Sequence, residues 1–209
     1  MDKFFLPLQL TTARIDKKNI LDFYHDIIID GLLGKNGITV FQIPFKITDT
    51  VNQTNEFLKK IDCMVGHYGL FCTPENTEDT MVHVDGRKSL TSELEVLEAR
   101  FSYYDILGSN GEIEWFEDIG DRYEVISIIN GKTARSFQFK WVEKLKNGEV
   151  MINDCPKSMC KVRTTCNSGI VNTSVPHRVI QGTGNRVTLG FQILNFDGTT
   201  HGVWRKTNL

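Results

Sequence analysis

The chain has 209 residues, with 24 Lys and Arg against 26 Asp and Glu, a formal net charge of -2 and 40% hydrophobic residues. That length buries one sizeable core and fits a single domain over 1–209 rather than two. The near balance of charge excludes an electrostatic grip on nucleic acid or on an anionic membrane, and no apolar stretch is long enough to cross a bilayer as a helix.

The opening apolar run is interrupted by Pro7 and Gln9 and no small-residue cleavage site follows, so export is not expected. Cys63, Cys72, Cys155, Cys160 and Cys166 are an odd set that fits a reducing cytoplasm, and the last three lack the CxxC spacing of a zinc knuckle. A helix is expected over 16–33, capped by Asp16, with Ile20, Phe23, Ile27 and Ile28 as its apolar stripe. A strand follows over 38–43, closed by Pro44. A second helix is expected over 48–64, capped by Thr48 or Asp49, with Val51, Leu58 and Ile61 on one side.

This helical lead-in ends at about residue 66, and from His67 short strands alternate with Gly, Asn and Asp. Strands are expected over 68–72, 80–85, 94–107, 112–116, 123–129, 136–145, 149–152, 169–180 and 186–194, with hairpin turns at 108–111 and 146–149. The basic clusters at 140–146 and 157–163 read as solvated faces. Such a run of strands predicts a mainly β fold, a jelly roll or related double-sheet barrel over 67–195, with the N-terminal helices packed outside and a C-terminal tail.

Alternation along a strand sends His83 and Asp85 to one face, where an imidazole nitrogen and a carboxylate oxygen can reach one ion. Such a pair supplies two ligands of the 2-His-1-carboxylate facial triad, which leaves coordination positions open. A lone HxD is weak, but His177 stands in a second β-rich stretch, within Pro176-His177-Arg178-Val179, and can be the third ligand. Arg186 and Thr188 share a strand face, so a guanidinium fork and a hydroxyl can converge on one carboxylate. Val187, Leu189 and Phe191 are what a buried strand uses on its other face.

The order HxD, a long gap, PHRV, then Arg-x-Thr on the next strand resembles the iron(II)/2-oxoglutarate-dependent dioxygenase superfamily over 68–194. The resemblance implies a double-stranded β-helix, also called a cupin-like barrel, of eight strands. It implies iron(II) held by His83, Asp85 and His177, the distal carboxylate of 2-oxoglutarate held by Arg186 with Thr188, and O2 as oxidant. The implied activity is hydroxylation of an unactivated C–H bond of a small molecule or an amino-acid or peptide substrate, releasing succinate and CO2. In related halogenases a small residue takes the place of Asp85, so the carboxylate implies an oxygenase outcome. The stretch 100–116 also resembles the aspartyl/asparaginyl and proline hydroxylases of that superfamily. Two other readings stand beside this one: a cupin-like metalloenzyme that does not use 2-oxoglutarate, and a barrel that binds a ligand without catalysis.

Arg100, Ser102 and Tyr104 fall on one strand face and Phe101 and Tyr103 on the other, and either set could line the barrel. Trp115 and Phe116 read as core. His25, His67 and His201 have no partner pattern and read as ordinary surface or structural residues.

Overall fold

The computed structural model describes residues 4–8, 16–33, 39–75, 77, 80, 82–85, 97–102, 111–117, 122–129, 132–139, 143–144, 150–151, 157–163, 168–173 and 175–198. For 6–8, 84, 85, 97–102, 122–129, 132–139, 143–144, 150–151 and 168 it describes the backbone alone. In chain order the elements are β1 (Phe5–Leu8), α1 (Lys17–Ile29), β2 (Thr39–Phe41), α2 (Thr48–Leu58), β3 (Cys63–Thr73), β4 (His83–Asp85), β5 (Leu97–Ser102) and β6 (Glu112–Phe116). They continue with β7 (Arg122–Ile129), β8 (Lys132–Phe139), β9 (Glu143–Lys144), β10 (Val150–Met151), β11 (Ser158–Arg163), β12 (Ser168–Asn172), β13 (His177–Ile180) and β14 (Arg186–Asn195).

Eight of these strands pair in a nested series: β3 with β14, β4 with β13, β5 with β12 and β6 with β11, all antiparallel. A long hairpin whose two arms wind together in this way, passing from one sheet to the other, is a double-stranded β-helix, so the jelly-roll expectation holds. One six-stranded sheet runs β1-β12-β5-β14-β3-β2 and the other β11-β6-β13-β4-β8-β7. The β7–β8 hairpin, inserted between β6 and β11, extends the second sheet past β4.

Strand alternation sorts the side chains between two cores. Val187, Leu189, Phe191 and Ile193 of β14, with Leu70 and Cys72 of β3, pack under Ile20, Tyr24 and Ile27 of α1 and Leu58 of α2. The helices therefore lie outside the barrel, as expected. Burial pushes the Cys72 thiol and the Tyr24 phenol each up to about 12, which keeps both protonated and inert. The second core lies between the sheets, where Phe4, Phe5 and Val171 meet Ile113, Trp115 and Val179. Trp115 stacks on Phe4 at 5.8 Å, and its indole N–H donates to the Asn172 carbonyl at 2.9 Å, which ties the two sheets together.

Several elements differ from the expectation. The buried stripe of α1 is Ile20, Tyr24 and Ile27, while Ile28 is 41% exposed. Asp16 makes no side-chain capping bond; its carboxylate accepts the Thr50 hydroxyl at 3.1 Å and pins α1 to α2. The N-cap of α2 is Ile47, not Thr48 or Asp49. That helix does not reach Met64: a 3-10 turn over Lys59–Ile61 leads to Asp62 at φ 52, and β3 starts at Cys63. The strand expected over 169–180 is two strands, because the chain changes sheets there and Pro176 has no N–H for a ladder. The basic stretch 157–163 contains β11, in which Cys160 and Val162 pack inward while Lys161 and Arg163 alternate outward. The strand β8 starts at Lys132, before residue 136, and β1 has no counterpart in the expectation. Turns 108–111 (apart from Gly111) and 146–149, and residues Cys155, Cys166 and His201, lie outside the described residues. His25 and His67 are exposed, and no described helix is long and apolar enough to cross a membrane.

On the outer face of the second sheet, Glu114 of β6 is a buried clamp. Its Oε2 accepts from Arg178 Nη2 at 2.7 Å and Nε at 2.8 Å, and its Oε1 accepts from the Ser158 hydroxyl at 2.6 Å and lies 3.4 Å from Lys161 Nζ. Burial acts to raise its pKa, but the Ser158 and Arg178 hydrogen bonds and the charges of Arg178 and Lys161 outweigh it, so the net shift is downward. A lowered folded-state pKa gives stability that is full above the unfolded value of about 4.3 and is lost as pH falls through the folded value. Glu114→Gln should therefore flatten this part of the acid limb of a melting-temperature profile. At pH 7 it should cost on the order of 1 to 2 kcal/mol, since Arg178 is one-third exposed.

Gly190 offers a packing test. A Cβ built there would stand 2.6 Å from Phe71 Cε2, closer than van der Waals contact allows, so the ring lies across the glycine. Gly190→Ala should destabilise by about 1 to 3 kcal/mol through this overpacking, measurable by chemical denaturation, and Phe71→Leu in the same chain should restore part of the loss.

Candidate metal and cosubstrate site

His83 opens β4, a strand of three residues, and His177 opens β13; the two are direct partners across the ladder. Their ring centroids are 4.5 Å apart with 48° between planes, close enough for both imidazoles to reach one ion. The loop before β4 reinforces the pairing. Thr80 N–H donates to the Val179 carbonyl at 3.0 Å, and Val179 N–H donates to Thr80 Oγ1 at 2.7 Å. This extends the β4–β13 contact by three residues upstream of His83.

His177 is 1% exposed, and its Nδ1 lies 2.9 Å from the Val175 carbonyl oxygen. A carbonyl only accepts, so the proton sits on Nδ1 and the lone pair on Nε2, the tautomer a metal ligand needs. Sequence reasoning did not find Val175, because a backbone acceptor leaves no trace in residue type. The donor chemistry present thus fits a divalent metal: two converging imidazoles, one with its tautomer fixed from behind.

Asp85 closes β4 two residues after His83, so strand alternation puts it on the same face; its side chain lies outside the described residues. Among the described residues no three His, Cys, Asp or Glu side chains gather. Next to these strands the β8 ladder sets Gln138 opposite His83 and Ser136 opposite Asp85.

On the facing sheet, Arg186 and Thr188 are 4% and 2% exposed and stand opposite Thr73 and Phe71 of β3. Their neighbours Val187 and Leu189 belong to the helix-covered core, so Arg186 and Thr188 occupy the face turned toward the second sheet. The turn before β14 puts them there: Gly184 takes φ 77, and Asn185 Oδ1 accepts the Glu75 N–H at 2.7 Å, anchoring the end of β14 to the end of β3. A guanidinium so placed presents a fixed fork of donors to the space between the sheets. Register also decides which set on β5 faces inward. Ser102 is opposite Thr188 and Arg100 opposite Gly190, so Arg100 and Ser102 share the Arg186 face, and Phe101, opposite Leu189, takes the other. Tyr103 and Tyr104 lie outside the described residues. Trp115 and Phe116 are core, as expected.

No family model matches the chain, and no curated protein does. Among solved structures it is similar to AviO1 from Streptomyces viridochromogenes Tue57, at 12% identity and a TM-score of 0.45, covering 91% of this chain and 89% of that one. It is also similar to a prolyl hydroxylase from Trichoplax adhaerens in complex with a hypoxia inducible factor peptide fragment, at 8% and 0.43, covering 93% and 84%. A third is HygX from Streptomyces hygroscopicus with nickel and 2-oxoglutarate bound, at 10% and 0.46, covering 94% and 82%. At these identities and scores the likeness concerns the course of the chain alone.

Proposed function

We propose that the chain is an iron(II)- and 2-oxoglutarate-dependent oxygenase of the hydroxylase type, acting on a small molecule or an amino-acid or peptide substrate. The observation that carries this reading is the meeting of His83 and His177 at 4.5 Å inside a barrel whose opposite wall buries Arg186. In this reading His83, Asp85 and His177 hold the metal, while Arg186 and Thr188 receive the distal carboxylate of the cosubstrate. When bound, iron(II) with O2 supplies the oxidising chemistry that the side chains lack, coupled to conversion of 2-oxoglutarate into succinate and CO2.

The chain's own residues do the rest. Val175 keeps the His177 proton on Nδ1 and so fixes the ring's orientation. Arg186 offers paired donors in a fixed plane, which orients a carboxylate where a Lys point charge would not. The walls of the barrel exclude water, which strengthens that pairing. The odd number of cysteines, with Cys63 and Cys72 buried as thiols, supports a reducing, cytoplasmic setting.

His83→Ala and Asp85→Ala should each abolish 2-oxoglutarate-dependent succinate formation while leaving the circular-dichroism spectrum and melting curve of the metal-free protein in place, since the sheets pack without the ion. Gross unfolding would make the ion structural, and retained turnover in Asp85→Ala would remove the carboxylate from the site. Anaerobic titration of 2-oxoglutarate into the iron(II) protein tests Arg186. Losing one partner of a desolvated charge pair costs on the order of 2 to 5 kcal/mol, so Arg186→Met should raise the dissociation constant roughly thirtyfold or more, and Arg186→Lys less. Equal affinity in wild type and Arg186→Met would sink that assignment. No binding to either protein would favour a cupin-like metalloenzyme that does not use 2-oxoglutarate.

A further inference from the structure

We propose that Thr73 is a further binding residue of the barrel, its hydroxyl donating to the distal carboxylate of 2-oxoglutarate beside Arg186 and Thr188. This rests on the oxygenase reading of the same site. Thr73 ends β3 and is the direct ladder partner of Arg186, while Phe71, two residues earlier, is the partner of Thr188. Directly opposed residues in an antiparallel ladder share a sheet face. Cys72, between Phe71 and Thr73, belongs to the helix-covered core, so Thr73 stands on the inner face with Arg186 and Thr188. All three side chains are buried, Thr73 at 4% exposure. The bond from the Glu75 N–H to Asn185 Oδ1 holds this end of the β3–β14 ladder in register.

Two observations turn the Thr73 hydroxyl toward a ligand. The first is its bonding: it is buried, and among the described residues no hydrogen-bond partner meets it. The buried threonines of α2 behave otherwise, since Thr50 donates to the Asp16 carboxylate at 3.1 Å and Thr54 to the Thr50 carbonyl at 2.7 Å. Burying a hydroxyl without an acceptor is costly, and a bound carboxylate would complete the arrangement. The second is the space above it. Arg186, Thr188, Thr73 and Phe71 form a two-by-two patch on the inner face, and the Phe71 ring lies across Gly190, on the far side of Thr188 from Arg186. The three polar side chains are thus left clear of the one aromatic ring beside them. A carboxylate offers about four lone-pair sites, which the Arg186 fork and the two threonine hydroxyls together can fill.

The test titrates 2-oxoglutarate calorimetrically into the anaerobic iron(II) form of the full chain, as wild type, Thr73→Val and Thr73→Ser. A second probe is 2-oxopentanoate, which carries a methyl group where 2-oxoglutarate has its distal carboxylate. Thr73→Val keeps the side chain's shape without the hydroxyl and should raise the dissociation constant of 2-oxoglutarate roughly tenfold or more, while Thr73→Ser should stay within about threefold of wild type. Binding of 2-oxopentanoate should be weaker than that of 2-oxoglutarate and indifferent to Thr73→Val. The melting temperature of the ligand-free protein should not fall in Thr73→Val, because no protein hydrogen bond is lost. The proposal is overturned if Thr73→Val binds 2-oxoglutarate as wild type does, if Thr73→Ser loses as much as Thr73→Val, or if 2-oxopentanoate is weakened equally. A lower melting temperature or failure to fold in Thr73→Val would make the residue structural and also overturn it. Equal binding of 2-oxoglutarate to wild type and Thr73→Val removes this inference and leaves the oxygenase reading in place, whereas no binding to wild type removes both.

Discussion

The register between β4 and β13 is the constraint on which the site depends. The strand β4 is three residues long, and His83 meets His177 through a single direct pair. Because side chains in a strand alternate with a period of two, a slip by one residue would turn His83 to the outside of the barrel. Thr80 and Val179 hold this register by exchanging two hydrogen bonds upstream of His83, while on the other side of β13 Glu114 of β6 grips Arg178, one residue from His177. A buried clamp on the outside of the sheet thus fixes an imidazole on the inside.

The same alternation separates stability from chemistry in the facing sheet. Along β14, Val187, Leu189 and Phe191 join the helices in one core, while Arg186 and Thr188 are buried on the opposite side. The helices shield one face so that the other can carry polar groups away from solvent. In that setting a charged pair gains strength, and a charge without its partner is costly.

Much of this was legible in the sequence where the signal is local. The i, i+2 spacing of His83 and Asp85, and of Arg186 and Thr188, gives a shared face for any strand, and β6 has the bounds expected of it. What could not be read depends on contacts distant in sequence. The strand β11 was hidden by its charges, because the inward alternation of Cys160 and Val162 is visible only once β6 lies beside it. The inward face of β5 was undecided until β14 supplied a register. The Val175 carbonyl that orients His177 has no residue-type signature, and the Asp62 turn that ends the second helical segment early is a backbone event at a residue compatible with helix.

The central claim, that His83 and His177 converge on one metal ion, is tested most directly by X-ray absorption spectroscopy of the iron(II)-loaded chain, wild type against His177→Ala. The account predicts the multiple-scattering signature of two imidazoles in wild type and of one in the variant. A wild-type spectrum without imidazole scattering, or one that His177→Ala leaves unchanged, would contradict it.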